Sequence, residues 1–231
     1  TRGMFPRVQS RKHEPDIQPL PIAEYRALWR ASLKLDDKLA GARIRALMLS
    51  GQRSDAILGA RWDELLKDGN GDYWLKIPYA RSKGGFEYHT PISSELMALF
   101  VKFGIRDGEF IFKPHAGAKT TIAFNVKEKV CKLMARDLGR EPTHFRFHDL
   151  RKNFRNMLSE LSVNDYTAEL LIGHKIKHVS QSGAIYLKRD FSAEKVDAMN
   201  KITAQILKIC EGDEIEFAAI EQKEMRQVTI E

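Results

Sequence analysis

Apolar positions recur along most of this chain at intervals of three and four, the spacing of helices that bury one face. The first such run extends from Ile22 to Leu35, with Tyr25, Leu28, Trp29 and Leu33 on one side. Asp36 is placed to cap a second helix through Ser50, whose inward face would be Leu39, Ala42, Ala46, Leu47 and Leu49. The period then changes. Tyr73 to Pro78 and Phe86 to Ile92 have strand character, and Ser82-Lys83-Gly84-Gly85 between them reads as a hairpin turn. Helical spacing returns over 93–103 (Leu96, Leu99, Phe100, Phe103) and 119–138 (Ile122, Phe124, Val126, Val130, Leu133, Met134, Leu138). It is seen again from Asp165 to Ile172 and from Ser192 to Cys210 (Val196, Met199, Ile202, Ile206, Ile209). The pattern predicts a mainly α protein with a small antiparallel β-sheet, an α+β fold with one hairpin or three strands.

The ends of the chain differ from its middle. Residues 1–21 carry Pro6, Pro15, Pro19 and Pro21 amid charge and read as linker. Residues 22–190 read as one folded unit, and 191–231 as a helix and an acidic tail, broken at Glu211-Gly212-Asp213. A chain of 231 residues supports one substantial core. It opens Thr-Arg-Gly rather than with Met, so it reads as a fragment of a longer protein. The 38 Lys and Arg exceed the 31 Asp and Glu, a net +7 that suits a polyanion such as DNA without specifying one. Cys131 and Cys210 lack metal spacing and read as buried thiols of a reducing compartment. No apolar run reaches membrane length and no signal peptide is visible, so the expectation is a cytoplasmic protein with no membrane partner.

The candidate chemistry clusters late. His148-Asp149-Leu150-Arg151 puts an imidazole and a guanidinium three apart, on one face if the segment is helical, with Phe147, Leu150, Phe154 and Leu158 inward. Leu171-Ile172-Gly173-His174 follows, then Tyr186. Guanidinium to clamp phosphate oxygens, imidazoles to move protons, and phenol to attack are what transfer of a phosphodiester to an enzyme hydroxyl needs. Upstream, Gly51-Gln52-Arg53 before a helix opening at Ser54 forms a phosphate-binding corner. Lys83 sits at the hairpin tip with Arg81 as a near competitor. His144 falls outside the motif and reads as structural, and Lys127, Lys129 and Lys132 as a solvated face, with a DNA-facing row as the alternative. Of the other tyrosines, Tyr166 reads as core, while Tyr25, Tyr73, Tyr79 and Tyr88 read as helix or strand faces far from the motif.

Taken in order, the Gly51 to Trp62 stretch, Lys83, the GEFIFKP phrase from Gly108 to Pro114, HDLR, LIGH and Tyr186 resemble the catalytic domain of tyrosine recombinases (phage-type integrases). The resemblance covers roughly Ile22 to Asp190. It implies the set Arg53, Lys83, His148, Arg151, His174 and Tyr186. Tyr186 would attack the scissile phosphate, leaving a 3′-phosphotyrosyl link and a free 5′ hydroxyl. Arg53 and Arg151 would neutralise the non-bridging oxygens, and His148 would take the phenol proton. His174 would hydrogen-bond a phosphate oxygen, and Lys83 would protonate the departing 5′ oxygen. The family calls for neither cofactor nor metal, and no Walker loop, metal-spaced Cys/His cluster or paired-carboxylate site occurs in the sequence.

The implied partners are double-stranded DNA and further copies of the chain, as a tetramer on DNA. The implied setting is a bacterial or phage-like mobile element acting at the nucleoid. A DNA-binding domain precedes the catalytic one in that family. The segment after the nucleophile is exchanged between protomers in relatives, docking on its own domain being the alternative for 191–231. One position departs from the pattern. An acidic residue commonly stands three after the first arginine; here that position is Ala56, and Asp55 lies one earlier. A type IB-like topoisomerase, a telomere resolvase, or a non-catalytic DNA-binding protein with the same fold are the alternatives to a recombinase.

Overall fold

In the computed structural model, residues 18–105, 108–112, 122–174 and 191–211 are described. Helix α1 spans Ile22–Lys34 and α2 spans Lys38–Ser50. The cap of α2 is Asp37, not Asp36: its carboxylate accepts from the Ala40 amide at 2.9 Å. Every residue of α2 from Ala40 to Ser50 is buried, Arg43 and Arg45 included. The single inward face expected for it is therefore wrong. The helix is enclosed by α1, by α3 (Ser54–Leu58), by α4 (Ser94–Phe103), by α6 (Leu150–Glu160) and by the C-terminal helix. Its small residues, Ala40, Gly41, Ala42 and Ala46, let neighbours approach from several sides. A Cβ on Gly41 would lie 2.1 Å from the Ser32 carbonyl oxygen of α1.

The sheet has three antiparallel strands in the order β1 (Leu65–Lys67), β2 (Tyr73–Ile77), β3 (Tyr88–Ile92). Leu75 pairs with Leu65 on one side and Thr90 on the other. Strand β1 is too short to show alternation in the sequence. Pro91 is tolerated because β3 is an edge strand. In place of a tight hairpin turn, the 78–87 connection contains a 3-10 turn at Tyr79–Arg81.

Ser93 caps α4 by accepting from the Leu96 amide. Helix α5 is Phe124–Leu138, starting later than the apolar spacing predicts among the described residues. Phe124 does not join the core. It is 76% exposed in the first turn, ahead of the buried stripe Val126, Val130 and Met134 that meets α1. The buried Glu24 carboxylate ties α1 to the segment after α5, accepting from the Thr143 amide and hydroxyl and pairing with Arg140. Lys127 donates to the Phe145 carbonyl, whereas Lys129 and Lys132 are exposed. Cys210 is buried but Cys131 is only partly so.

After α6 comes α7 (Asp165–Leu171), capped by Asn164. The last described helix, α8, runs Ser192–Glu211 and packs on α1, α6, α7 and β3 of the same chain. It buries Met199, Ile202 and Ile206, and Arg26 donates to the Ile209 carbonyl at 2.6 Å. The tail, 212–231, lies outside the described residues. Fully buried Trp29, Tyr25, Phe100 and Phe154 fill the centre, each large apolar side chain contributing about 1.5–3 kcal/mol over exposure. No helix of the described residues is long and apolar enough to cross a membrane.

Candidate active site

Two helices that end at left-handed glycines frame the site. Helix α2 stops at Gly51, φ 60°, whose carbonyl accepts from Arg151 Nη1 at 3.0 Å. A Cβ on Gly51 would come within 2.3 Å of the Phe154 ring, so only glycine admits this approach of α2 to α6. Arg53 follows, half-buried in extended backbone at the start of α3. That helix has five residues, so the positive charge here comes from the guanidinium more than from a helix dipole. Ala56, within α3, is buried at 1% exposure.

His148 is not on a helix, as its spacing to Arg151 suggested. It occupies a 3-10 turn, Phe147–Asp149, held by the Asp149 carboxylate accepting the Arg146 amide at 2.7 Å. Helix α6 begins only at Leu150, and Arg151 is in its first turn, 6% exposed. Partial burial, then the nearby Arg151 charge, holds the His148 imidazole below its ordinary pKa. Arg53 and Lys83 push the same way and Asp149 opposes. Burial lowers even Arg151, to about 10, with Arg53 adding to the effect and Tyr88 and Glu169 opposing. Arg151 Nη2 has no hydrogen-bond partner among the described residues.

The second glycine, Gly173 at φ 71°, ends α7. The His174 amide donates to the Glu169 carbonyl at 2.9 Å and the Gly173 amide to Leu170 at 3.0 Å, the paired bonds of a Schellman cap. This cap fixes where His174 leaves the helix. A Cβ on Gly173 would lie 2.2 Å from the Tyr88 ring. Tyr88 is therefore not remote from the motif, as its sequence position suggested. Its hydroxyl donates to Gln52 Oε1 at 2.9 Å, and its phenol is raised by burial despite the lowering influence of Arg151, Arg53 and Arg81. Gln52 is buried and donates to the Leu171 carbonyl at 2.8 Å and to Thr90 Oγ1 at 3.3 Å. It thereby ties the Arg53 segment to β3 and the His174 turn.

Arg53, His148, Arg151 and His174 line one cavity of about 450 Å³, joined by Lys152 and Asn156 of α6 and by Gln18 and Pro19 of the entering segment. Lys83 is exposed on the 78–87 connection and lines no part of it, although its charge acts on His148. Arg81, its competitor, is committed elsewhere: Nη1 donates to the Gly59 carbonyl and Nη2 pairs with Glu64. His144 is exposed and absent from the cavity wall. Tyr186 lies outside the described residues, as do Lys175, Lys177 and His178. The site thus brings together four of the six expected side chains, drawn from segments separated by up to 121 positions (53 to 174).

The model of the phage integrase family matches residues 21–192. The chain belongs to that family. Its fold is the tyrosine recombinase catalytic domain that the motif order implied. The lambda integrase catalytic core is similar with a TM-score of 0.50 at 20% identity, over 69% of this chain and 96% of that one. The XerH site-specific recombinase, in a post-cleavage complex with palindromic difH substrate, gives 0.48 at 15% identity over 83% of this chain. This chain covers 51% of that recombinase. No curated protein matches.

Three residues near the site were given no part in it by the sequence reading: Gln52, Tyr88 and Glu169. Glu169 was the most legible, since a helical residue five before a histidine, with glycine between, is the partner in a Schellman cap.

Proposed function

We propose that this protein is a site-specific DNA recombinase or integrase of a mobile element, cleaving and rejoining double-stranded DNA through a 3′-phosphotyrosine at Tyr186. The observation that carries this reading is Arg151. A guanidinium only 6% exposed, beside a second guanidinium and with one terminal nitrogen unpartnered among the described residues, is costly unless an anion completes it. A phosphodiester fits that requirement, and Arg53 and Arg151 together would stabilise the charge of the pentacoordinate state.

In the proposed reaction Tyr186 Oη attacks phosphorus, the phosphorus–O5′ bond breaks, and the phenol proton passes to His148. Depression of the His148 pKa favours the neutral, accepting imidazole. Lys83 gives a proton to O5′, and its exposed position is compatible with approach of DNA from outside the cavity. His174 hydrogen-bonds a non-bridging oxygen. Attack of a second 5′ hydroxyl on the phosphotyrosine reverses the steps, so the energy of the phosphoester is conserved. The same reading has the protein act as a tetramer on DNA at the nucleoid.

The test is a nicked duplex assay with a mixture of candidate attachment sites, comparing this chain with Tyr186→Phe on denaturing gels. A protein–DNA adduct that disappears in the Phe variant is expected. An adduct surviving that substitution, or none from a chain shown to bind the duplex, overturns the proposal.

A further inference from the structure

We infer that Glu169 is the positioning carboxylate of this site: held by Arg155, it fixes the His174 ring through Nδ1 and leaves Nε2 for the cavity. This inference rests on the phosphoryl-transfer reading and deepens it. Glu169 Oε2 lies 2.5 Å from His174 Nδ1, while the backbone of the same two residues is joined by the Schellman bond. A ring bonded at main chain and side chain to one residue has little freedom left. The other carboxylate oxygen, Oε1, accepts from Arg155 Nε at 2.9 Å. Arg155 is itself braced, Nη2 to Asp165 Oδ1 and Nη1 to Ser159 Oγ, both at 2.7 Å.

The arrangement couples two site residues through one helix. Arg155 lies one turn after Arg151 on α6, so the element that carries the buried phosphate clamp also braces the carboxylate that aims His174. It also answers the departure at Ala56. With a buried methyl there, α3 offers the site no carboxylate at that position, and the negative charge comes from α7 instead. Glu169 acts on Arg151 as well, opposing the loss of its proton.

Among the described residues, the charged groups around His174 are Glu169 on its own helix, Arg151, Lys152 and Arg155 on α6 and Arg53 before α3, with the titratable imidazole of His148 on the 3-10 turn. Among these cations the carboxylate is the one anion bonded to the ring among the described residues. It accepts the Nδ1 proton and so sets the ring with Nε2 left for the cavity. An uncharged acceptor would still orient the ring but bond it less strongly.

The test uses the full chain and the nicked duplexes described above, with Glu169→Ala, Glu169→Gln and Arg155→Ala. Single-turnover adduct formation should slow by about 10–100-fold in Glu169→Ala, the usual scale for losing an orienting partner, with duplex Kd within about twofold. Glu169→Gln, nearly isosteric, should fall between wild type and Ala, and Arg155→Ala should slow cleavage in the same direction. In 15N-histidine NMR spectra, the hydrogen-bonded Nδ1 proton of His174 should be present in wild type and lost in Glu169→Ala. Wild-type cleavage rates in both Glu169 variants, or an unchanged His174 Nδ1 signal in Glu169→Ala, overturn the inference. Should Glu169→Ala not fold, Glu169→Gln decides on rate alone, a wild-type rate counting against it. A wild-type chain that binds duplex without forming an adduct sinks the phosphotransfer reading instead, and the Nδ1 signal still decides whether Glu169 holds the ring.

Discussion

Arg151 reaches across 100 positions of sequence to donate to the carbonyl of Gly51, and through that bond the end of α2 and the start of α6 share one corner of the cavity. Nη1 is consumed by structure while Nη2 is left unpartnered among the described residues. The side chain thus serves as a brace and, in the proposed reaction, as a phosphate clamp at once.

A lysine cannot do both. Arg151→Lys replaces a planar fork by a single point donor, and the ammonium must choose between Gly51 and the phosphate. Adduct formation on nicked duplex should fall by about 100–1,000-fold, as for loss of one oxyanion donor. A variant within about tenfold of wild type would show that the fork geometry is not required.

The Gly51 corner should be intolerant of any side chain. Gly51→Ala combines a left-handed backbone with a methyl 2.3 Å from the Phe154 ring. The expected loss is about 2–5 kcal/mol, read by urea denaturation, from the left-handed penalty and overpacking together. Gly139, also left-handed at φ 68°, has nothing within 4 Å of the place a methyl would take, so Gly139→Ala should lose only the backbone part, about 1–2 kcal/mol.

Tyr88 and Tyr186 should separate cleanly. Tyr88 is raised by burial and donates to Gln52, a phenol kept protonated and engaged in structure. Tyr88→Phe should cost about 1 kcal/mol in denaturation and retain the covalent adduct. Gln52→Leu should cost about 1–3 kcal/mol, because it strips the Leu171 carbonyl and Tyr88 hydroxyl of a buried partner.

The pH dependence follows from His148. Its pKa is below 6.5 in the folded chain, so between that folded value and 6.5 the unfolded chain binds more protons. Stability therefore rises with pH through this window and falls as pH drops below 6.5. His148→Asn should flatten that part of a Tm-against-pH curve. In cleavage, the acid limb should lie below pH 6.5, and Lys83→Met should move it upward by removing one of the charges that depress His148. An unmoved limb would separate Lys83 from His148.

Glu169 contributes with the opposite linkage. Burial alone would raise its pKa, but hydrogen bonds from Arg155 and His174 hold it below the usual glutamate value. Its stabilisation is present above the ordinary glutamate pKa of about 4.3 and is lost as pH falls through the folded value. Glu169→Gln should remove that acid-side slope, measured by Tm below about pH 5.

Local chemistry was written along the chain. Helical spacing located α1, α2, α4, α6, α7 and α8, because one-sided burial imposes a period on the residues themselves. Order and type of side chain singled out Arg53, His148, Arg151 and His174, which the fold brings to one cavity. Other features depended on contacts between distant segments, which no local period encodes. Burial of α2 on every side came from five neighbours closing around small residues. The 3-10 turn under His148 depended on Asp149 turning back to Arg146. Tyr88 reached the site only because Gly173 has no side chain to keep it away. Glu169 became a partner of His174 only when the Schellman cap bent the chain back and Arg155 came in from another helix.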